Sequence, residues 1–466
     1  MRKHLLNFAK KNTVFLLLLS FFLIAYCLLG VQKHNRFETG DDLALYDQAL
    51  WKYSQFKAPY SSFKEAILLT DHFGPILALF SPLYWIWSDP RMLLLAQEFL
   101  LVTGAIPVYL LSLKKIKNKL SSLIIVFLFL YFIGIQSAVS ADFHLAAITA
   151  TFLSFTIYFL EIKKWRYFWI FFVLSLLCKE DVPAYLFGIS LYAIITKKEY
   201  KRGFIGAFVS IAYFYCINNF FIPILQSTPI KFGNLGGKSS GFIRIAFNNP
   251  VEFFRNFVYP VVKIRNIFLI LFSFGFLPIF SSLFWLTAPF NFLRFFSDPA
   301  RYGLHFHYTA ALAPILAFSM INVMTKFKKQ YLKYCFLAIA VIGSFYTNKP
   351  NLDPGYPTPP ISFVFKRAFW VLPPRNKDYY EMMSLIPLDA SVSAQTALLP
   401  HLSHRDKIYR FPDNYDSADY VLLAPTESPY PIDWEKYEII KEELLNNPNY
   451  EKIYMTYAGI LFSKHR

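Results

Sequence analysis

Five short polar stretches carry residue types able to handle protons, phosphates or metal ions. They are Gly40-Asp41-Asp42 running on to Asp47, then Thr70-Asp71-His72, Ala141-Asp142-Phe143-His144, Cys178-Lys179-Glu180-Asp181, and Arg301-Tyr302-Gly303-Leu304-His305-Phe306-His307. A carboxylate within hydrogen-bond reach of a hydroxyl can serve as a general base, and Asp42 and Asp47 are the catalytic candidates. Asp71, His72, Asp142, His144, Lys179, Glu180, Asp181, Arg301, His305 and His307 are the candidate substrate-binding residues. Asp71, His72, Asp142, His144, His305 and His307 could instead assemble a divalent metal site, since Asp and His suit such an ion. Arg301, Lys263 and Arg265 are candidates for gripping a phosphate, a role that favours the forked guanidinium; for the last two, a juxtamembrane anchor at a helix start is the better reading.

Residues 41–56 read as an amphipathic helix. A five-residue separation sets Asp42 and Asp47 about 140° apart around it, so the two need not share a ligand. Helix capping is the structural alternative for Asp41 or Asp42.

The elements that must position these residues are membrane helices. Of 466 residues, 55% are hydrophobic, 20% aromatic and only 17% charged, against about 25% charged in soluble domains. That balance excludes a soluble enzyme, a disordered chain and a disulfide scaffold. Cys27, Cys178, Cys216 and Cys335 lie in or at the ends of apolar segments, which gives no support to a disulfide or zinc framework. The first apolar run, 13–31, follows Arg2, Lys3, Lys10 and Lys11 and reads as a retained signal anchor. Ten more spans are expected at 91–113, 120–135, 145–160, 167–178, 183–196, 203–223, 267–279, 282–296, 309–325 and 332–347, with an interfacial helix over 73–87.

Charge then fixes an orientation. The net +17 concentrates in alternate loops: Lys114, Lys115, Lys117 and Lys119; Lys163, Lys164 and Arg166; Lys197, Lys198, Lys201 and Arg202; Lys326, Lys328, Lys329 and Lys333. The opposite loops hold almost none, as a cytoplasmic N-terminus and the positive-inside rule require, and nucleic acid is not needed to explain the charge. All five polar stretches then fall at the non-cytoplasmic ends of helices. Ionisable groups there are costly and mark substrate or ion paths, so one outward-facing cavity is expected.

The expected organisation is a transmembrane part over 1–347, including a first external loop over 32–90, and an extracytoplasmic α/β domain over 348–466. The latter opens with a Pro-rich connector carrying Pro350, Pro354, Pro357, Pro359 and Pro360. Strand-like runs follow at 390–394, 407–411 and 420–423, and a helix-like run at 437–445.

In this order the stretches resemble the bacterial and archaeal membrane family called domain of unknown function 2079. The resemblance rests on Asp42, Asp47-Gln48-Ala49-Leu50-Trp51, Pro59-Tyr60-Ser61-Ser62, Asp71-His72-Phe73-Gly74-Pro75, Asp142-Phe143-His144, Lys179-Glu180-Asp181 and His307-Tyr308. Ser391-Val392-Ser393-Ala394-Gln395 and Pro400-His401-Leu402-Ser403-His404-Arg405 extend it over nearly the whole chain. That family is similar to the GT-C glycosyltransferases, which take sugars from polyprenyl-phosphate donors at the outer membrane face. Their first external loop carries a pattern like Asp-Glu-Ala-x-Tyr. Asp42-Leu43-Ala44-Leu45-Tyr46 is similar, with Leu43 in place of the second acid, so the resemblance assigns the catalytic base to Asp42.

The resemblance implies a GT-C-like polytopic α-helical membrane protein of the cytoplasmic membrane. It would transfer a sugar from a polyprenyl-phosphate donor to a lipid or glycan acceptor. Two other classes compete: a transporter or lipid flippase using the same acids and histidines, for which Glu98 is the mid-span acid, and a non-catalytic envelope assembly protein. A transporter is expected to show internal repeats and acids near span centres; clustering of the acids on one side favours the enzyme.

Overall fold

A computed structural model describes residues 7, 10–62, 64–225, 248–296, 299–349 and 360–465. The Pro-rich connector over 350–359 lies outside the described residues. The architecture is a mostly helical bundle with a small α/β region at the C-terminal end.

Each of the eleven expected spans coincides with helix, but they are unequal. Among the described residues, four helices are long and apolar enough to cross a membrane alone: Thr13–Asn35, Arg91–Ile116, Tyr200–Leu225 and His307–Met324. A fifth span is made by Lys119–Leu130 and Ile133–Ser140 if the two are taken together across a 42° bend. Others, including Leu145–Glu161, Trp165–Leu176 and Val182–Ile195, are shorter apolar helices. The expected interfacial helix is two short pieces, Pro75–Phe80 and Ser81–Ile86.

The 42° bend positions the site. Bending a helix in an apolar medium frees carbonyls that water cannot reach, and side chains must take them up. Here Tyr26 donates its hydroxyl to the Leu130 carbonyl at 2.6 Å, and Asn348 donates its amide to that of Tyr131 at 2.9 Å. Gln136 in turn donates to the Tyr26 hydroxyl at 2.6 Å. The redirected chain then delivers Asp142 and His144 beside the start of Leu145–Glu161. Elsewhere the helices close on small residues: a Cβ at Gly188 would lie 2.1 Å from the Leu286 carbonyl oxygen, so only glycine lets Val182–Ile195 meet Ser282–Phe292.

At one end of the bundle, Glu161 gathers Lys115, Tyr192 and Asn322 from three other helices and Lys197 from the loop after Val182–Ile195. These are the ends whose loops carry the lysine clusters. The acid and histidine stretches occupy the other end.

Outside the bundle, β1 (Tyr60–Ser61) and β2 (Ala66–Ile67) form an antiparallel ribbon. The C-terminal sheet contains β3 (Val392–Ala394), β4 (Ile408–Arg410), β5 (Tyr420–Leu423), β6 (Tyr450–Met455) and β7 (Ile460–Lys464) in the order β4-β3-β5-β7-β6. The first three are parallel; β7 runs antiparallel to β5 and β6. The helix Trp434–Asn446 is capped by the Asp433 side chain, which accepts from Lys436 N–H at 2.9 Å.

Candidate functional site

The helix Asp41–Ser54 presents the first acid. Gly40 precedes it in extended geometry, and the capping acceptor comes from a distant segment. Asp142 Oδ2 accepts from Gly40 N–H at 2.8 Å and Leu43 N–H at 3.3 Å. A carboxylate at a helix start satisfies orphan N–H groups and suits the positive end of the dipole. Asp142 therefore works as a cap supplied across the fold, which leaves Asp42 uncommitted to capping.

Asp42 Oδ2 lies 3.4 Å from His144 Nε2. The His144 ring stacks on that of His307, with centroids 3.5 Å apart and planes at 28°. His144 is held from behind: its backbone N–H donates to Gln97 Oε1 at 2.8 Å, while the Gln97 amide donates to the Ala138 carbonyl at 3.3 Å. Burial pulls the His144 imidazole down to about 3, so it is neutral at physiological pH. Asp42 goes the other way. More than half of its side-chain surface is open, yet crowding by protein and the adjacent Asp41 carboxylate push it up to about 6.

A second group faces this pair. His72 Nδ1 lies 3.4 Å from Glu180 Oε1, and Phe73 N–H donates to Glu180 Oε2 at 3.0 Å. Burial would raise Glu180, but Lys179 and His72 outweigh it and hold the carboxyl low; Asp181, next in sequence, is raised by burial. Lys179 is buried with its ammonium 5.9 Å from the Tyr308 ring centroid. Burial would lower it, and the Asp181 and Glu180 charges override that and raise it; Arg301 is near enough to oppose them. Gly74 makes the approach of this loop possible, since a Cβ there would lie 2.0 Å from Leu145 Cδ1 and 2.7 Å from the Cys178 carbonyl oxygen.

Tyr46 joins the two groups. It is buried one turn after Asp42, and burial together with the charges of Asp42, Glu180 and Asp71 drives its phenol well above the ordinary value. The acids from three separate stretches therefore converge on one place. Asp71 itself pairs with Lys64 at 3.5 Å. His305 packs on Phe306 at 4.4 Å between centroids and folds against Gly303.

Asp47 is elsewhere. Its carboxylate is fully buried, accepts from Tyr84 O–H and from Ser403 O–H, and has His404 Nε2 3.0 Å away as an ion-pair partner. It faces the C-terminal region, as the five-residue offset from Asp42 requires. Among the described residues, no group of three or more His, Cys, Asp or Glu side chains is arranged to hold a metal ion.

Several residues entered the site without being singled out from sequence. Gln97 holds His144. Arg294 braces the His-bearing loop by donating to the Arg301 and Gly303 carbonyls and, at 2.7 Å, to Thr309 Oγ1. Tyr46 did carry a signal, because a four-residue step from Asp42 returns to the same helix face. Neither Gln97 nor Arg294 stands in a recognisable motif.

Beside the site runs an apolar groove of about 440 Å³, lined by residues that include Ile76, Phe80, Met92, Phe99, Phe152 and Leu174. Phe80 lies 6.2 Å from Phe143, the residue between Asp142 and His144.

A family model described as predicted membrane protein (DUF2079) matches residues 33–461. No curated protein matches the chain. Two solved structures share its architecture, both of ArnT from Cupriavidus metallidurans. One is in the apo state (TM-score 0.55, 9% identity) and one is bound to undecaprenyl phosphate (TM-score 0.54, 10% identity). Each comparison covers 97% of this chain and 98% of ArnT. At that identity the likeness establishes the fold, which is GT-C.

Proposed function

The chain belongs to the DUF2079 family of predicted membrane proteins, and we propose that it transfers a sugar from a polyprenyl-phosphate donor to a hydroxyl acceptor at the outer face of the cytoplasmic membrane. The observation that carries this reading is Asp42 held 3.4 Å from a neutral His144, at the edge of a cluster that includes Lys179 and lies next to an apolar groove. Asp42 takes the proton from the acceptor hydroxyl. The oxygen attacks the anomeric carbon, and the bond to the phosphate breaks with its electron pair leaving on phosphate, which gives inversion. Lys179 and Arg301 offset the charge that develops on the leaving group. The isoprenoid tail lies in the groove beside Phe80 and Phe152. The ArnT structure bound to undecaprenyl phosphate supports that class of lipid for a shared fold.

A transporter is the second reading, favoured by Glu98, which is completely buried within Arg91–Ile116 and 3.8 Å from a Cβ built on Gly30. One experiment separates the two. Purified protein is incubated with radiolabelled polyprenyl-phosphate sugars and membrane extract, with Asp42→Asn in parallel. Donor consumption by the wild type alone supports transfer. No consumption of any donor, with substrate flux in proteoliposomes, overturns it.

A further inference from the structure

The C-terminal region contacts one short helix at three heights. At its start, Arg410 pairs with Asp41 at 2.8 Å, and Thr396 Cγ2 would lie 3.0 Å from a Cβ on Gly40. In its middle, Asp47 accepts from Ser403 O–H and pairs with His404, whose Nε2 lies 3.0 Å from Asp47 Oδ2. One residue on, the Gln48 amide donates to the Arg405 carbonyl at 2.9 Å and to Ser62 Oγ at 3.1 Å. Ser62 Oγ then accepts from Ile408 N–H at 2.8 Å and donates to the Ile408 carbonyl at 2.7 Å. Apart from Thr396, these C-terminal partners come from one stretch, Pro400 to Arg410, anchored inside its own region by Arg405, which donates to the Leu402 and Ala390 carbonyls.

None of these contacts is made by the side chain of His144 or Lys179. What they fix is the rotation and height of Asp41–Ser54, whose second residue is Asp42. Asp47 lies about 7.5 Å along the axis from Asp42, so a slip at Asp47 moves Asp42 with it. A fully buried carboxylate with both oxygens occupied tolerates little displacement, because any move leaves charge unsatisfied. We propose that His404 is a positioning residue: through the Asp47 carboxylate it fixes the helix that presents Asp42, so the C-terminal region is part of the working site. This rests on the reading of Asp42 as the base.

The groups facing His404 are the Asp47 carboxylate, Tyr84 at 5.7 Å and Trp51 at 5.8 Å between ring centroids, Ser88 Oγ at 3.5 Å, and the charge of Asp89. Burial alone would lower the imidazole; Asp47 outweighs it and holds His404 above its ordinary value. The imidazolium is thus favoured below the raised value, and the ionic part of the latch is lost as pH rises through it.

The test uses the full-length protein in nanodiscs and two readouts: amide hydrogen exchange over 41–54, with 145–161 as internal control, and donor turnover. His404→Phe should lose protection over 41–54 only and lower kcat about a hundredfold with KM unchanged. His404→Gln keeps a donor without the charge, and should retain most protection but lose its dependence on pH. Unchanged protection in His404→Phe overturns the proposal, and so does lost protection with normal kcat. If the wild type consumes no donor while His404→Phe loses protection, the latch stands and the transferase reading fails.

Discussion

His144 and His307, 163 positions apart in sequence, lie face to face with ring centroids 3.5 Å apart. Two like-charged imidazolium rings would not hold that spacing, and burial keeps His144 neutral. The stack sets the plane of His144 and so aims its Nε2 at Asp42. His307→Phe should preserve the stacked area and change stability by less than about 1 kcal/mol. His307→Ala should let the His144 ring rotate and remove that contact. The check is a comparison of thermal inactivation with donor turnover. If His144 is oriented by stacking, Phe retains more turnover than Ala; equal losses would assign the His307 nitrogens a direct part.

Asp42 predicts a pH profile. As a base it works ionised, and its carboxyl is raised to about 6. Turnover should therefore fall about tenfold per unit as pH drops below that value and level off above it. His144, at about 3, does not titrate in this window. Asp42→Asn should lower turnover by about 10²–10⁴-fold and leave the remaining rate without this acid limb. An acid limb that persists in Asp42→Asn would assign the base to another group.

How much of this was legible beforehand depends on the kind of signal. Helices spaced by apolar runs were readable because hydropathy acts locally: every expected span is helical. The bend at Tyr131 was not, since it depends on Tyr26 and Asn348 from distant segments. Strands β3, β4 and β5 followed from their β-branched and aromatic runs, whereas β6, with exposed Glu451 and Lys452, gave no such pattern. The site stretches stood out because charge is scarce in this chain. Their partition was legible only in part: the 140° offset already separates Asp42 from Asp47 on their helix, but which neighbours Asp47 meets depends on the packing of Pro400 to Arg410 against one side of that helix. Asp142 reads as a ligand candidate in sequence and acts in the fold as a cap for residues 99 and 102 positions away.

Orientation can be read directly. Ser417 is exposed on the C-terminal region and Lys164 is exposed in a basic loop at the other end of the bundle. Single cysteines at these positions, in a background with the native cysteines replaced, should react with a membrane-impermeant maleimide in opposite senses. Ser417→Cys is expected to label in intact cells and Lys164→Cys only after permeabilisation. The reverse pattern would place the Asp42 site on the cytoplasmic side and remove the outer-face reaction.

The Glu161 network makes the complementary prediction, at the end of the bundle away from the site. Its carboxylate is fully buried and accepts from Lys115 Nζ at 2.6 Å, Lys197 Nζ at 2.7 Å and Tyr192 O–H at 2.6 Å, while Lys115 also donates to Asn322 Oδ1 at 2.8 Å. Four helices thus meet on one charge. Removing that charge leaves two lysines facing each other, so Glu161→Gln should cost about 3–5 kcal/mol. It should appear as faster thermal inactivation in detergent, the appropriate measure where unfolding is irreversible. Adding Lys115→Met to Glu161→Gln removes one orphaned cation and should recover part of the loss, with a coupling of about 0.5–3 kcal/mol. Turnover per folded molecule should stay near wild type, because no Glu161 contact extends to the Asp42 cluster among the described residues. A Glu161→Gln protein of normal stability would show that the lysines relax into water and that the network does not hold these helices together.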